Sequence, residues 1–267
     1  MFNIYKMCCF CMYPSDLKNE QWELIKDFFI ENENVKKRGR KAWRDPRDIL
    51  DGILYLNKTG CQWRQLPADF PPWRTVHHYF QKWTRSGLLD KILMTLNKKV
   101  RKEAGKNEEP SYGIIDSQSV KMQSEGEAKG VDGYKKVKGR KRHIVVDTLG
   151  CLLAVVVHAA NIHDTKAAYT VMAKACQSYP TICAFSGDQG YCKTAEEDAM
   201  LLGRTMYISK KIDDKFAVLP KRWIVERTFA WMNGYRRLSK DFEKNPRFSE
   251  AMVKLSYIKL ALNKLKY

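Results

Sequence analysis

A helical region followed by a mixed α/β sheet flanked by helices is the architecture the sequence predicts. Apolar residues recur at helical spacing through the first hundred positions. A polar break, GKNEEP from Gly105 to Pro110, then ends that periodicity. Beyond it, short β-branched runs alternate with helical stretches, the pattern of a sheet covered by helices. The chain of 267 residues is expected to divide into an extension over 1–12, a helical region over 13–108 and a second domain over 109–267.

In the first region, Ser15 is read as the N-cap of a helix through Phe29, with Trp22, Ile25, Phe28 and Phe29 on one face. KKRGRK, Lys36 to Lys41, is a basic loop. Asp45-Pro46 is a cap followed by proline at the first helical position, opening a helix that stops near Gly60. A third helix runs from about Trp73 to Ser86 and stops at Gly87. A fourth runs from Leu88 to about Lys102.

In the second region, YGIID (Tyr112 to Asp116) is an apolar run ending in a carboxylate. RHIVVD (Arg142 to Asp147) and CLLAVVVHA (Cys151 to Ala159) flank a turn and predict a hairpin, with Asp147 serving the turn. Thr165 to Gln177 reads as a helix, Thr181 to Ser186 and Met206 to Ser209 as strands. Pro220 opens a helix to about Asn233, and Ser249 to Lys266 forms another. The basic run KKVKGRKR, Lys135 to Arg142, is expected to be a loop beside the sheet.

Composition bounds the function. With 44% apolar residues and 12% aromatics the chain can fill a core, which excludes disorder for most of its length. The longest apolar run, Cys151 to Val157, is far shorter than the roughly 18 residues of a membrane span. The opening MFNIYKMCCFCMYP lacks the uninterrupted apolar stretch of a signal peptide, so a cytoplasmic, nucleoid-associated protein is expected. Cys61, Cys151, Cys176, Cys183 and Cys192 sit among apolar residues, as buried free thiols do. Cys8, Cys9 and Cys11 cluster, but no Cys/His pair follows at zinc-site spacing.

The net charge is +18, with 21 basic against 13 acidic residues up to Glu108 and 27 against 17 after it. A folded chain that is basic throughout points to a polyanion, most simply nucleic acid. Against that background three acids stand out. Asp116 and Asp188 each follow an apolar run, where strand ends present side chains. Glu226 lies within an apolar helix, on one stripe with Arg222 and Asn233. Converging carboxylates hold magnesium or manganese, and two such ions suit phosphodiester chemistry. Each acid also has a structural reading, a solvated surface group or a partner for Arg222.

Several long blocks carry a resemblance. GIIDSQSV, KKVKGRKRHIVVDTLGCLLAVVVHAANIHD, GDQGY and LPKRWIVERTFAWMNGYRRLSKDFE resemble bacterial insertion-sequence transposases. The family is the one named after insertion sequence five, within the insertion-sequence four/five superfamily of DDE transposases. YPSDLKNEQWELI and ILYLNKTGCQWRQLPADFPPWRTVHHYFQKW resemble its N-terminal segment. The resemblance implies a ribonuclease-H-like catalytic domain over 109–267 and assigns the metal-ligating, catalytic acids to Asp116, Asp188 and Glu226. It implies two Mg2+ or Mn2+ ions, cleavage to free 3′-hydroxyls and transfer of those ends to target DNA. Synapsis of two ends implies a homodimer. The family pattern around the glutamate has Tyr and Lys where this chain has Leu219 and Asn233, while Arg222 and Glu226 match.

The expected DNA contacts are these. Lys135, Lys136, Lys138, Arg140, Lys141 and Arg142 would hold phosphates beside the acids. Arg74, Gln81, Lys82 and Arg85 lie on the third helix, which could enter a major groove as in a helix-turn-helix. Arg222, Arg236, Arg237 and Lys240 surround the glutamate motif. Two other classes stay open: a metal-dependent nuclease of the same fold, and an inactive or domesticated copy acting as a repressor. His163-Asp164 is read as structural, because no nucleophile motif accompanies it.

Overall fold

The computed structural model describes residues 13–34, 45–123, 125–208 and 222–266. The expectations for the 1–12 extension with Cys8, Cys9 and Cys11, for the basic loop at Lys36 to Lys41, and for Leu219, Pro220 and Lys221 lie outside these residues, as does the side chain of Arg222.

The N-terminal region is helical. The first predicted helix is two: α1, Asn19–Glu23, and α2, Lys26–Asn34, separated by a tight turn in which Ile25 and Phe28 N–H reach back three residues. Ser15 caps neither, and Gln21 instead accepts from the Lys18 N–H. Helix α3, Pro46–Thr59, starts at Asp45, whose carboxylate accepts from Arg47 N–H. A short 3₁₀ turn over Trp63–Gln65 leads to α4, Trp73–Arg85, and α5, Leu88–Glu103.

Six strands form one sheet: β1 Tyr112–Lys121, β2 Gly130–Asp132, β3 Val137–Val146, β4 Leu152–Ala159, β5 Ala184–Gly187 and β6 Thr205–Ile208. The order is β2-β3-β1-β5-β6, with β4 also paired to β3. Strands β1, β2 and β4 run antiparallel to β3, whereas β5 is parallel to β1 and β6 to β5. Helix α6, Asp164–Ser178, makes the crossover into β5, and α7, Thr194–Leu201, the one into β6. Two helices follow: α8, Arg222–Asn233, and α9, Pro246–Lys264.

The sheet is buried on both faces, which explains its uninterrupted apolar runs. Alternation sends Ile114, Ile144 and Val146 to one face and Ile115 and Val145 to the other. The first face shares a single core with α8, α9 and the N-terminal helices, including Leu50, Trp83 and Leu96. The second packs on α6 and α7 through Ala168, Val171, Met172 and Ala199. The N-terminal helices therefore form no separate core among the described residues; they complete the sheet's own interior.

Strand β3 is the main departure. Its basic first half, expected as a loop, is strand, paired with β1 from Gly139 and with β4 from Arg140. A side chain at Gly139 would sit 2.1 Å from the Val120 carbonyl oxygen, so glycine permits the close pairing. The thiols also divide: Cys151 is buried and Cys61 and Cys176 half-buried, but Cys183 and Cys192 are exposed. Asp147 serves its turn as expected, accepting from the Leu149 and Cys151 N–H groups at 2.9 and 2.8 Å and pairing with Arg101.

Candidate active site

Parallel pairing of β1 with β5 sets Ile114 opposite Ser186. Two residues further along each strand's path lie Asp116 and Asp188. The parallel course of the two strands therefore carries both acids past the same end of their paired segment. Both line one small cleft together with Ile114, Ser186 and Val225. The Asp116 carboxylate accepts from Ser117 N–H at 2.7 Å, and Asp188 accepts from Gly190 N–H at 2.9 Å. Gly187 lets this corner close, since a Cβ there would lie 2.8 Å from Met206 and 2.9 Å from Ile115.

Helix α8 covers the cleft. Ile224, Val225, Thr228 and Met232 form its buried face, and the Thr228 hydroxyl donates to the Ile224 carbonyl. Glu226 follows the cleft-lining Val225 and is exposed. The structure thus joins Asp116 and Asp188 directly and sets Glu226 one residue from their rim. Among the described residues no group of three or more His, Cys, Asp or Glu side chains stands close enough to hold a metal ion. The pair offers only oxygen donors, the set that suits magnesium or manganese.

Behind the acids lies a buried polar chain that the sequence reading did not assign. Tyr191, 1% exposed, bonds through its hydroxyl to His143 Nδ1 at 3.1 Å. His143 Nε2 is 3.4 Å from Asp164, which pairs with Lys141 at 2.8 Å. Burial, then the carboxylates of Asp116, Asp164 and Asp188, hold the Tyr191 hydroxyl protonated, far above the usual phenol range. Burial opposes the Asp164 carboxylate, but His143 and Lys141 outweigh it and keep its pKa below the ordinary range. His163 caps α6, accepting from Thr165 N–H. The His-Asp pair is structural, and it anchors the strand beside the acids. The signal for Tyr191 was the GDQGY block itself, where a tyrosine closes the turn after Asp188.

The expected DNA contacts separate by exposure. Lys135, Lys136 and Lys138 are exposed at the start of β3, and Arg236 and Lys240 are exposed after α8. Four others are corrected. Arg140 is fully buried, donating to the Glu127, Glu243 and Lys244 carbonyls and pairing with Asp241 at 3.2 Å. Arg142, 1% exposed, donates to the Leu238 and Lys240 carbonyls, and burial draws its pKa down to about 10. Lys141 donates to the Ile162 carbonyl and pairs with Asp164. Arg237 is bonded to Glu243 and the Cys61 carbonyl. On β3, Arg140 and Arg142 turn to one face and pin the 238–244 segment, Lys141 turns to the other and pins the start of α6, and Arg237 is held in the short helical turn after α8; these four are not free to hold phosphates. On α4, Arg74 and Arg85 are exposed and Gln81 and Lys82 half-buried. Arg85 donates to Gln81, which contacts His77, and Lys82 lies over the Tyr79 ring.

Residues 107–263 match the family described as "Transposase DDE domain". The chain belongs to that family. Residues 17–93 match a second description, "Putative transposase of IS4/5 family". The sheet of this DDE-family chain, three antiparallel strands followed by two parallel ones, is the ribonuclease-H-like arrangement. Among curated proteins it is similar to "Putative transposase for insertion sequence element IS402" of Burkholderia cepacia, 30% identical over 141 residues, 48% of this chain and 65% of that protein. It is also similar to "Uncharacterized protein y4sN" of Sinorhizobium fredii, 32% identical over 80 residues, 30% of this chain and 62% of that one. The chain thus spans just under two thirds of the curated relatives it matches. Among solved structures, the catalytic core domain of BIV integrase aligns with a TM-score of 0.33 and 16% identity, covering 54% of this chain and 81% of that one. The Mos1 transposase paired-end complex aligns with a TM-score of 0.25 and 9% identity, covering 92% and 90%. No helix among the described residues is long and apolar enough to cross a membrane.

Proposed function

We propose that this chain is a DNA transposase that binds the ends of its insertion sequence, cuts a phosphodiester at each end to free a 3′-hydroxyl, and joins that hydroxyl to target DNA. The observation that carries the reading is that Asp116 on β1 and Asp188, just past the parallel β5, line one cleft in a basic chain of the DDE family. Asp116 and Asp188, completed by Glu226 from α8, would hold two divalent ions, magnesium or manganese. Such ions, when bound, supply charge stabilisation to the phosphoryl oxygens and an activated hydroxyl nucleophile.

The chain's own residues do the rest. Asp116 and Asp188 are oriented by the Ser117 and Gly190 N–H groups. Tyr191, wedged beneath them and tied to His143, fixes the turn after β5 against β3. Val225 lines the cleft, and with the buried Ile224 it fixes the turn of α8 that bears Glu226. Exposed Lys135, Lys136, Lys138, Arg236 and Lys240, with Arg74 and Arg85 on α4, supply cations for the phosphate backbone. Two copies acting together would bring two ends into one complex.

The test is substitution at the acids. Asp116→Asn, Asp188→Asn and Glu226→Gln are each expected to abolish cleavage and strand joining while end binding and folding persist. Loss of folding or of DNA binding in these variants would overturn the catalytic assignment. Joined products separate a transposase from a nuclease, which makes cuts alone.

A further inference from the structure

We propose that the β2–β3 hairpin and the cleft at its base form a clamp for an unpaired stretch of DNA strand: five lysines hold the phosphates and Tyr134 stacks on a base. The inference rests on the DNA reading above and adds a site to it.

The cleft, of about 330 Å3, is lined by Lys121, Gln123, Lys129, Lys136, Lys138 and Lys240. Among the described residues no carboxylate lines it. Within it Lys240 donates to Gln123 Oε1 at 3.1 Å. Five ammonium groups so gathered repel one another and favour a polyanion over a single small anion. The cleft also lies on the path to the acids. Lys121 ends β1 five residues beyond Asp116, about 17 Å along the strand. That distance equals about five nucleotides of axial rise.

The hairpin tip supplies the second, independent feature. Tyr134 is 95% exposed and Val131 53% exposed. An aromatic so bare at a tip gains nothing in the folded chain itself. The tip is nevertheless held firmly. Asp132 accepts from the Tyr134 and Lys135 N–H groups at 3.1 and 3.0 Å and from the Ser119 hydroxyl at 2.6 Å. Lys136 occupies a left-handed conformation, φ +52°, where glycine would be the easier residue. A rigid tip that presents a ring between lysines suits stacking on a base whose face is open. In a duplex that face is covered by the neighbouring pairs. The occupant is therefore single-stranded, about five nucleotides along from the acids.

The experiment compares a blunt duplex with the same duplex carrying a single-stranded tail, by fluorescence anisotropy on the full chain at several salt concentrations. Tyr134→Ala is expected to weaken the tailed probe about five- to a hundredfold and leave the blunt probe's affinity in place, with Tyr134→Phe close to wild type. The double change Lys129→Ala with Lys138→Ala is expected to lower the salt slope on the tailed probe by about 1.4. Tyr134→Ala acting equally on both probes, or on neither, would overturn the stacking site. An unchanged slope in the lysine variant would remove the cleft. Wild-type chain binding both probes would leave the DNA reading standing in those cases; wild-type chain binding neither would sink the DNA reading itself.

Discussion

Arg140→Ala is expected to strike stability before it strikes DNA affinity. The guanidinium is fully buried and its donors are all committed: Nε and Nη2 to the Glu127 carbonyl at 3.1 and 2.6 Å, Nη1 to Glu243 at 2.7 Å and Nη2 to Lys244 at 2.7 Å. Its charge partner Asp241 is 1% exposed. Ser249 and the Glu243 N–H would still bond that carboxylate after the change, and Arg142 would still act on it from nearby, but its direct ion pair would be gone. Breaking a buried pair from one side costs about 3–5 kcal/mol, and each abandoned carbonyl adds to that. Against a total stability of about 5–15 kcal/mol, the variant is left marginal or unfolded. Arg140→Lys should recover only part, since one ammonium cannot reach three carbonyls and a carboxylate at once. Urea unfolding followed by tryptophan fluorescence reads the first effect, and salt-dependent DNA binding the second. An Arg140→Ala protein with an unchanged midpoint and a shallower salt slope would refute the structural role and restore Arg140 to the interface.

Gly150 turns β3 into β4 at φ +80°, and a Cβ there would lie 3.1 Å from Trp231 and 3.2 Å from the Thr228 hydroxyl on α8. Gly150→Ala is expected to lose about 1–2 kcal/mol in chemical denaturation, and to slow cleavage further because α8 carries Glu226; unchanged stability would contradict the strain. Asp51 is a pH probe. Burial pushes its carboxyl up to about 7 from 3.8, with the Leu17 N–H opposing that and Asp16 reinforcing it. Between those values the folded chain holds a proton the unfolded chain has released, so stability falls as pH rises through the window and levels off above it. Asp51→Asn keeps an oxygen for the Leu17 N–H and should lose that slope; parallel pH–stability curves for the two proteins would disprove the assignment.

Much of the fold was legible because burial writes period and punctuation into sequence. Asp45-Pro46 and Gly60 bound α3 as read, with Gly60 left-handed at φ +73°. The apolar runs Arg142 to Asp147 and Cys151 to Ala159 became β3 and β4. Strand β2 was not foreseen, and of helix α7, expected between the last two strands, the bounds were not read. A three-residue strand carries too little period to read, and α7 buries only Ala195 and Ala199. The split between α1 and α2 also escaped, since apolar spacing continues across the turn at Leu24 and Ile25.

The sequence by itself determined the class of the protein, its basic character and which acids end the apolar runs. These are local properties, carried by residue type and spacing. Only the tertiary structure decided which charges are available. Between Lys135 and Arg142 six of eight positions are basic and look alike as composition, yet Lys135, Lys136 and Lys138 face solvent while Arg140, Lys141 and Arg142 are consumed by distant carbonyls and carboxylates. Those partners stand as far as 104 residues away in the chain. It was likewise the parallel register of β1 on β5 that set Asp116 beside Asp188, because strand pairing, unlike periodicity, is a relation between segments that the chain must fold to bring together.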